Sequence, residues 1–339
     1  LIRNSFLFLL IIISCAGSDT SRDIVVFSQK INGLSFVASR NHVVAETIIP
    51  VVNLNANWVT LMPFGFMPNA NSASLTFDHE RQWWGEKKEG VKQAGKVFQA
   101  KGIKRMLKPQ IWIRGGTFTG TIQMNSENDW QAFEKNYEAF ILAYAEVAAS
   151  ENFELFCIGT ELNAFVVARP NFWKQIIVKI KKVYSGKLTY AANWDSYQNP
   201  TFWKDLDCIG IDAYFPLHIN KTATVNELTK AWEPIKREIA SYSKTLKKSI
   251  LFTEFGYRSV DFTAKEPWES NTAGAYNVEA QENALQAIFE TFWQESWFEG
   301  GFLWKWFDTY EKAGGEGHTG YTIQNKKSEL LVKQQFERN

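Results

Sequence analysis

Eight short apolar runs alternating with amphipathic stretches, a length of 339 residues, and no internal repeat or linker rich in Pro, Gly or Ser predict an α/β chain folded as a single (β/α)₈ TIM barrel. An open doubly wound sheet would usually stop at about five or six strands. The runs cover residues 33–37, 58–63, 105–111, 155–160, 188–192, 208–213, 250–255 and 301–304. Most are apolar throughout, as expected of parallel strands buried on both faces. Between them the apolar spacing changes to three and four, most clearly at Trp130, Phe133, Tyr137, Phe140, Ile141, Tyr144 and Val147. That spacing predicts a helix with one aromatic stripe, which belongs to the core. Further helices are predicted over 89–100, 170–184 with Pro170 just inside the start, 225–246, 277–293 and 328–336.

The start of the chain differs in character. Residues 1–14 place Arg3 before an apolar stretch, Phe6 to Ile13, which is the pattern of an export signal and too short to span a bilayer. The sequence Ile12-Ile13-Ser14-Cys15-Ala16-Gly17 then resembles the lipobox of bacterial lipoproteins. That resemblance implies cleavage before Cys15, lipidation of its thiol, and an exported lipoprotein whose contact with the membrane is the anchor, at the periplasm or the cell surface. The alternative is an ordinary signal peptide with an incidental Cys15. The segment from Ser18 to about Lys30 reads as unpatterned, as a tether would be, so the expected plan is 1–14 signal peptide, 15–30 tether and 31–339 barrel.

Composition narrows the function. With 37 basic and 36 acidic residues, a net charge of +1 and no long run of one sign, the chain is not built for nucleic acid or for an anionic membrane surface. The 14 tryptophans and 15% aromatic residues exceed what a core tends to use, and flat apolar faces that stack on sugar rings would explain the excess. Beyond Cys15, only Cys157 and Cys208 remain. They fall in strands two places apart, roughly 9 to 10 Å between axes, so buried free thiols are expected and not a disulfide. No CxxC, HExxH or clustered-His pattern is present, and neither a metal nor a cofactor is predicted. The Gly314 to Gly317 stretch lacks the strand and helix that a phosphate loop needs.

In such a barrel the active site lies at the C-terminal ends of the strands. The fourth run ends in Thr160-Glu161 and the seventh contains Thr253-Glu254. A carboxylate ending an apolar run is costly to bury without a partner or a task. Strands four and seven face each other across the mouth, so two inward glutamates could share one small volume, as glycoside cleavage requires. Either glutamate alone could be a structural ion-pair partner, but the coincidence of position, residue type and Thr-Glu context favours a catalytic pair. A carboxyl separation of about 5 to 5.5 Å would retain anomeric configuration and about 6.5 to 9.5 Å would invert it; the shorter is expected.

The chain resembles glycoside hydrolase family 113, within the clan of TIM-barrel hydrolases that carry one Glu at strand four and one at strand seven. The likeness is carried by Trp83-Trp84-Gly85-Glu86, Met106-Leu107-Lys108-Pro109-Gln110, Ile158-Gly159-Thr160-Glu161-Leu162, Leu188 to Trp194, Ile209 to Pro216, Phe252 to Ser259 and Gly301 to Trp306. It implies a retaining endo-β-1,4-mannanase acting on mannan, glucomannan or manno-oligosaccharides, with no metal, and a monomer is expected. Position by position it implies Glu161 as acid/base, Glu254 as nucleophile, Tyr214 as hydrogen-bond donor to the nucleophile, and Trp304 as the floor under the sugar.

One departure matters: many clan members have Asn before the acid/base to grip the 2-hydroxyl, whereas Thr160 stands here. Asn193, Lys108 and Gln110 are the candidates to replace it. Trp84, Trp112 and Trp194 could line the cleft or pack under loops, His42 and His79 read as surface residues, and Trp173, Trp203, Trp232 and Trp293 read as core. Two rivals remain open, a hydrolase of another β-glycan and a non-catalytic glycan-binding lipoprotein, since a fold does not specify the sugar.

Overall fold

The computed structural model describes residues 29–271 and 273–339. The stretches expected to form a signal peptide and a lipobox, and nearly all of the expected tether, lie outside the described residues. Eight parallel strands close into a barrel: β1 (Ile31–Phe36), β2 (Trp58–Leu61), β3 (Lys104–Leu107), β4 (Leu155–Thr160), β5 (Lys187–Asn193), β6 (Cys208–Asp212), β7 (Ser249–Phe255) and β8 (Phe298–Trp306), with β8 returning to β1. Their interior is filled by a small cluster, Ile31, Trp58, Met106, Leu155, Cys157, Ala191, Cys208, Leu251 and Phe302, so the barrel is a packed core with no pore. Cys157 and Cys208 are both buried free thiols within it.

The intervening residues of the strands point outward. Phe156 and Ile158 of β4, or Ile209 and Ile211 of β6, join a second core beneath the helices. That outer core holds the aromatic stripe of Glu127–Ser150, whose start is capped by Ser126 accepting from the Asp129 N–H. Trp173, Trp203, Trp232 and Trp293 are fully buried there. The predicted helices are found at Lys88–Ala100, Pro170–Val183, Val225–Leu246, Val278–Phe292 and Lys327–Arg338. Between β5 and β6 the connection has a single 3₁₀ turn, Trp203–Asp205, in place of a crossover helix. Two short helices, Ile49–Asn53 and Asn163–Ala168, are additional to the sequence reading.

The third run is not one strand. It breaks at Lys108-Pro109, and Gln110–Ile113 leaves the barrel to pair with Phe64–Met67, which in turn pairs with Thr76–Phe77. The second run breaks in the same way after Leu61, at Met62-Pro63. Proline has no N–H to give to a ladder, so neither run can continue in the barrel sheet through it. The segment after the second strand therefore contributes Phe64–Met67 and Thr76–Phe77 to a three-stranded sheet beside the barrel mouth.

Candidate active site

Local irregularities aim both glutamates inward. In β7, Leu251 and Thr253 face the interior, so strict alternation would turn Glu254 outward. The pairing of β7 with β6 and with β8 shifts register between Phe252 and Phe255, and Glu254 joins the interior while Phe255 enters the outer core. In β4 a register shift between Cys157 and Thr160 precedes Glu161, which sits at φ +53° with its N–H bonded to the Ala191 carbonyl at 2.8 Å. A non-glycine residue held in this region is uncommon outside sites that need it.

Both glutamates line a cleft with two lobes of about 940 and 1060 Å³, which share Glu161, Glu254, Trp304 and Lys305. Glu254 is nearly buried and receives three donors. Lys108 Nζ lies 2.6 Å and Gln110 Nε2 3.1 Å from its Oε1, and the Tyr214 hydroxyl lies 2.9 Å from its Oε2. A group accepting from three donors is bonded as a carboxylate is.

Glu161 is half-buried, and among the described residues no side-chain donor bonds its carboxyl as Lys108, Gln110 and Tyr214 bond that of Glu254. Burial first, then Asp212 and Glu254, push its pKa well above the usual carboxylate range, with Lys108 opposing. One carboxyl is thus arranged to hold a proton and the other to accept hydrogen bonds, which is the pairing of environments that general acid and nucleophile require.

Lys108 is fully buried and also bonds both oxygens of Asp212, at 3.1 and 3.3 Å. Burial alone would lower its pKa, but Asp212 and Glu254 outweigh this and raise it, so it remains an ammonium. Asp212, at the end of β6, accepts from Thr253 Oγ1 at 2.7 Å and has its own pKa raised to about 7, by burial and then by Glu254, against Lys108.

The positions of the other candidates are mixed. Tyr214 and Trp304 both line the cleft. Lys108 does not face the cleft; its donors are committed to Asp212 and Glu254, so it is not placed to grip a sugar 2-hydroxyl. Gln110 lines one lobe while bonding Glu254, and Asn193 lines the other while donating to Asp195 at 3.0 Å. Trp194 lines the same lobe as Asn193 and stacks on Trp268, with ring centroids 5.0 Å apart.

Trp84 corrects the sequence reading. Its indole stacks on His42 at 4.1 Å and donates to Gln93, outside both lobes, because the 3₁₀ turn Trp84–Glu86 directs adjacent side chains apart. Its neighbour Trp83 faces the cleft instead, 41% exposed, with the Arg40 guanidinium 4.4 Å from its ring. Trp112 and Phe118 are likewise exposed and line both lobes.

Sequence reasoning missed Asp212 and Trp268. Asp212 ends its apolar run just as Glu161 and Glu254 end theirs, so the same criterion would have found it. No comparable signal marks Trp268, which lies in an unpatterned stretch.

The sequence profile described as Glycoside Hydrolase Family 113 matches residues 40–326. The chain belongs to glycoside hydrolase family 113. This family-113 protein is similar in structure to the GH113 β-mannanase AaManA from Alicyclobacillus acidocaldarius in complex with ManMIm, with a TM-score of 0.79 and 24% identity over 91% of this chain and 98% of that one. A GH113 β-1,4-mannanase complex gives a TM-score of 0.80 and 22% identity over 92% of this chain and 100% of that one. A β-glucuronidase from Ruminococcus gnavus shares the fold more distantly, with a TM-score of 0.57 and 12% identity over 91% of this chain and 50% of that one. No curated protein matches the chain. As a family-113 member it is a glycoside hydrolase built on a closed eight-stranded barrel.

Proposed function

We propose that this glycoside hydrolase is a retaining endo-β-1,4-mannanase, with Glu254 as nucleophile and Glu161 as acid/base. The observation that carries the reading is one cleft shared by two glutamates of opposite setting, Glu254 held by three donors and Glu161 by burial and neighbouring negative charge. In the first step a Glu254 oxygen bonds to the anomeric carbon, the bond to the leaving oxygen breaks, and the Glu161 proton passes to that oxygen. In the second step Glu161, now anionic, takes a proton from water; the hydroxide oxygen bonds to the anomeric carbon and Glu254 leaves as the carboxylate.

Endo action is supported by the cleft extending into a lobe on each side of the pair, with Trp83 along one and Trp194 and Trp268 along the other. Mannan, glucomannan or a manno-oligosaccharide is the substrate suggested by the names of the similar structures. We propose further, from the sequence alone, an exported lipoprotein anchored through Cys15. The test of function is hydrolysis of defined β-1,4-manno- and cello-oligosaccharides followed by proton NMR. The expected result is cleavage within the manno-oligosaccharides, with the β-anomer appearing first. Preference for the cello series would move the reading to a glucan hydrolase, and an α-anomer appearing first would end the retaining mechanism.

A further inference from the structure

The buried cluster behind Glu254 contains more charge than a nucleophile needs. A single ammonium would neutralise Glu254. Here Lys108 Nζ is shared between Oε1 of Glu254 at 2.6 Å and the carboxylate of Asp212 at 3.1 and 3.3 Å, with Lys108 and Asp212 both inaccessible to solvent. Burying a second carboxylate is expensive unless it is paired and used. Asp212 is also firmly fixed. Thr253 Oγ1 donates to it at 2.7 Å, its carbonyl accepts from the Tyr214 N–H at 3.1 Å, and its backbone is in register with Glu254 on one side and Asn193 on the other.

We propose that Asp212 is a positioning residue for both glutamates: it anchors the Lys108 ammonium against Oε1 of Glu254 and leaves the buried cluster one negative charge in excess, which keeps the proton on Glu161 until a glycoside is cleaved. The proposal rests on the two-glutamate reading above and deepens it. With Asp212 ionised against the Lys108 ammonium that Glu254 shares, the cluster carries a net charge of −1 beside Glu161, whose pKa is raised. When Glu254 becomes an ester and the proton leaves with the glycosidic oxygen, Lys108 and Asp212 remain as a neutral pair. The surplus negative charge then resides on Glu161. The same anchored pair thereby opposes ionisation of Glu161 in the resting enzyme and permits it in the intermediate, where Glu161 must act as a base. The titratable and charged groups acting on Glu161 are Asp212 on β6, Glu254 on β7, Lys108 after β3, Asp195 after β5 and Tyr190 on β5. Lys305 on β8 interacts with Glu254.

The test is Asp212→Asn in the full chain, read in two ways. Carbon NMR of protein labelled at the glutamate carboxyl carbons, assigned with Glu161→Gln, follows the titration of Glu161 without any substrate. The midpoint is expected to fall by about one unit when the Asp212 charge is removed. The basic limb of kcat/KM on a manno-oligosaccharide should move down with it, while an aryl mannoside whose leaving group needs no proton should show no such movement. The Lys108→Met/Asp212→Asn double variant restores the resting charge of −1 and should return the Glu161 midpoint toward the wild-type value; it also keeps the test open should the single variant fold poorly. An unmoved Glu161 midpoint in Asp212→Asn, or a double variant displaced further than the single, would overturn the proposal. A wild-type enzyme that cleaves no manno-oligosaccharide would sink the assigned function while leaving the NMR result to judge Asp212 alone.

Discussion

The ends of β4 and β7 carry the same two residues, Thr160-Glu161 and Thr253-Glu254, yet the barrel treats them in opposite ways. Thr253 turns its hydroxyl to Asp212, whereas the Thr160 hydroxyl is buried with no hydrogen-bond partner among the described residues. Glu254 receives Lys108, Gln110 and Tyr214, and Glu161 emerges from a left-handed backbone position beside the negative charge of that cluster. Identical dipeptides thus acquire different hydrogen-bonding and electrostatic settings from their neighbours, chiefly from which of them meets the Lys108 ammonium.

The largest effect should come from removing the better-bonded carboxylate. Glu254→Ala is expected to lower kcat by about 10⁴-fold or more, with added azide restoring turnover as a glycosyl azide of inverted anomer; near-normal activity in the variant would erase the contrast between the two ends. Glu161→Ala should cost about 10²- to 10⁴-fold on oligosaccharides and far less on an activated aryl mannoside, and equal losses on both would remove its role as acid. Tyr214→Phe deletes one donor to Glu254 and should reduce kcat about tenfold, a figure read from the usual value of a hydrogen bond to a charged group; an unchanged rate would mean that Lys108 and Gln110 suffice.

Stability offers a sharper form of the comparison. Because Glu161 binds its proton more tightly folded than unfolded, the native state holds more protons than the unfolded one at pH values between the ordinary glutamate range and its raised native pKa. Its contribution to stability therefore falls as pH rises through that window. Glu161→Gln should raise Tm at pH 7 to 8 and show little gain at pH 4. A gain largest at pH 4 would reverse the sign. The smallest effects concern the adjacent tryptophans. Trp83→Ala should raise KM a few-fold with the fold intact, while Trp84→Ala should leave KM unchanged and lower Tm through its lost packing on His42.

Much of this arrangement was legible in the sequence, for physical reasons. Parallel strands buried on both faces must be apolar throughout, so their runs stood out, and an acid at the end of such a run is conspicuous; Glu161 and Glu254 were found that way. The side chains that tune them were harder to see. Lys108 was read as a sugar-binding donor because its position after the third strand is visible, whereas its capture by Asp212 and Glu254 depends on three strands distant in sequence. The small sheet beside the mouth was announced only by Pro63 and Pro109, whose effect is to end pairing without indicating where the chain goes next. Trp83 and Trp84 could not be separated, since the direction of adjacent side chains is set by a single 3₁₀ turn.

The most direct measurement is trapping of the covalent intermediate. The enzyme is treated with a 2-deoxy-2-fluoro-β-mannosyl fluoride, digested, and the labelled peptide is sequenced by mass spectrometry. The account predicts one stoichiometric mannosyl ester, carried by Glu254 and absent in Glu254→Gln. A label on Glu161 or Asp212, or turnover with inversion and no trapped ester, would contradict it.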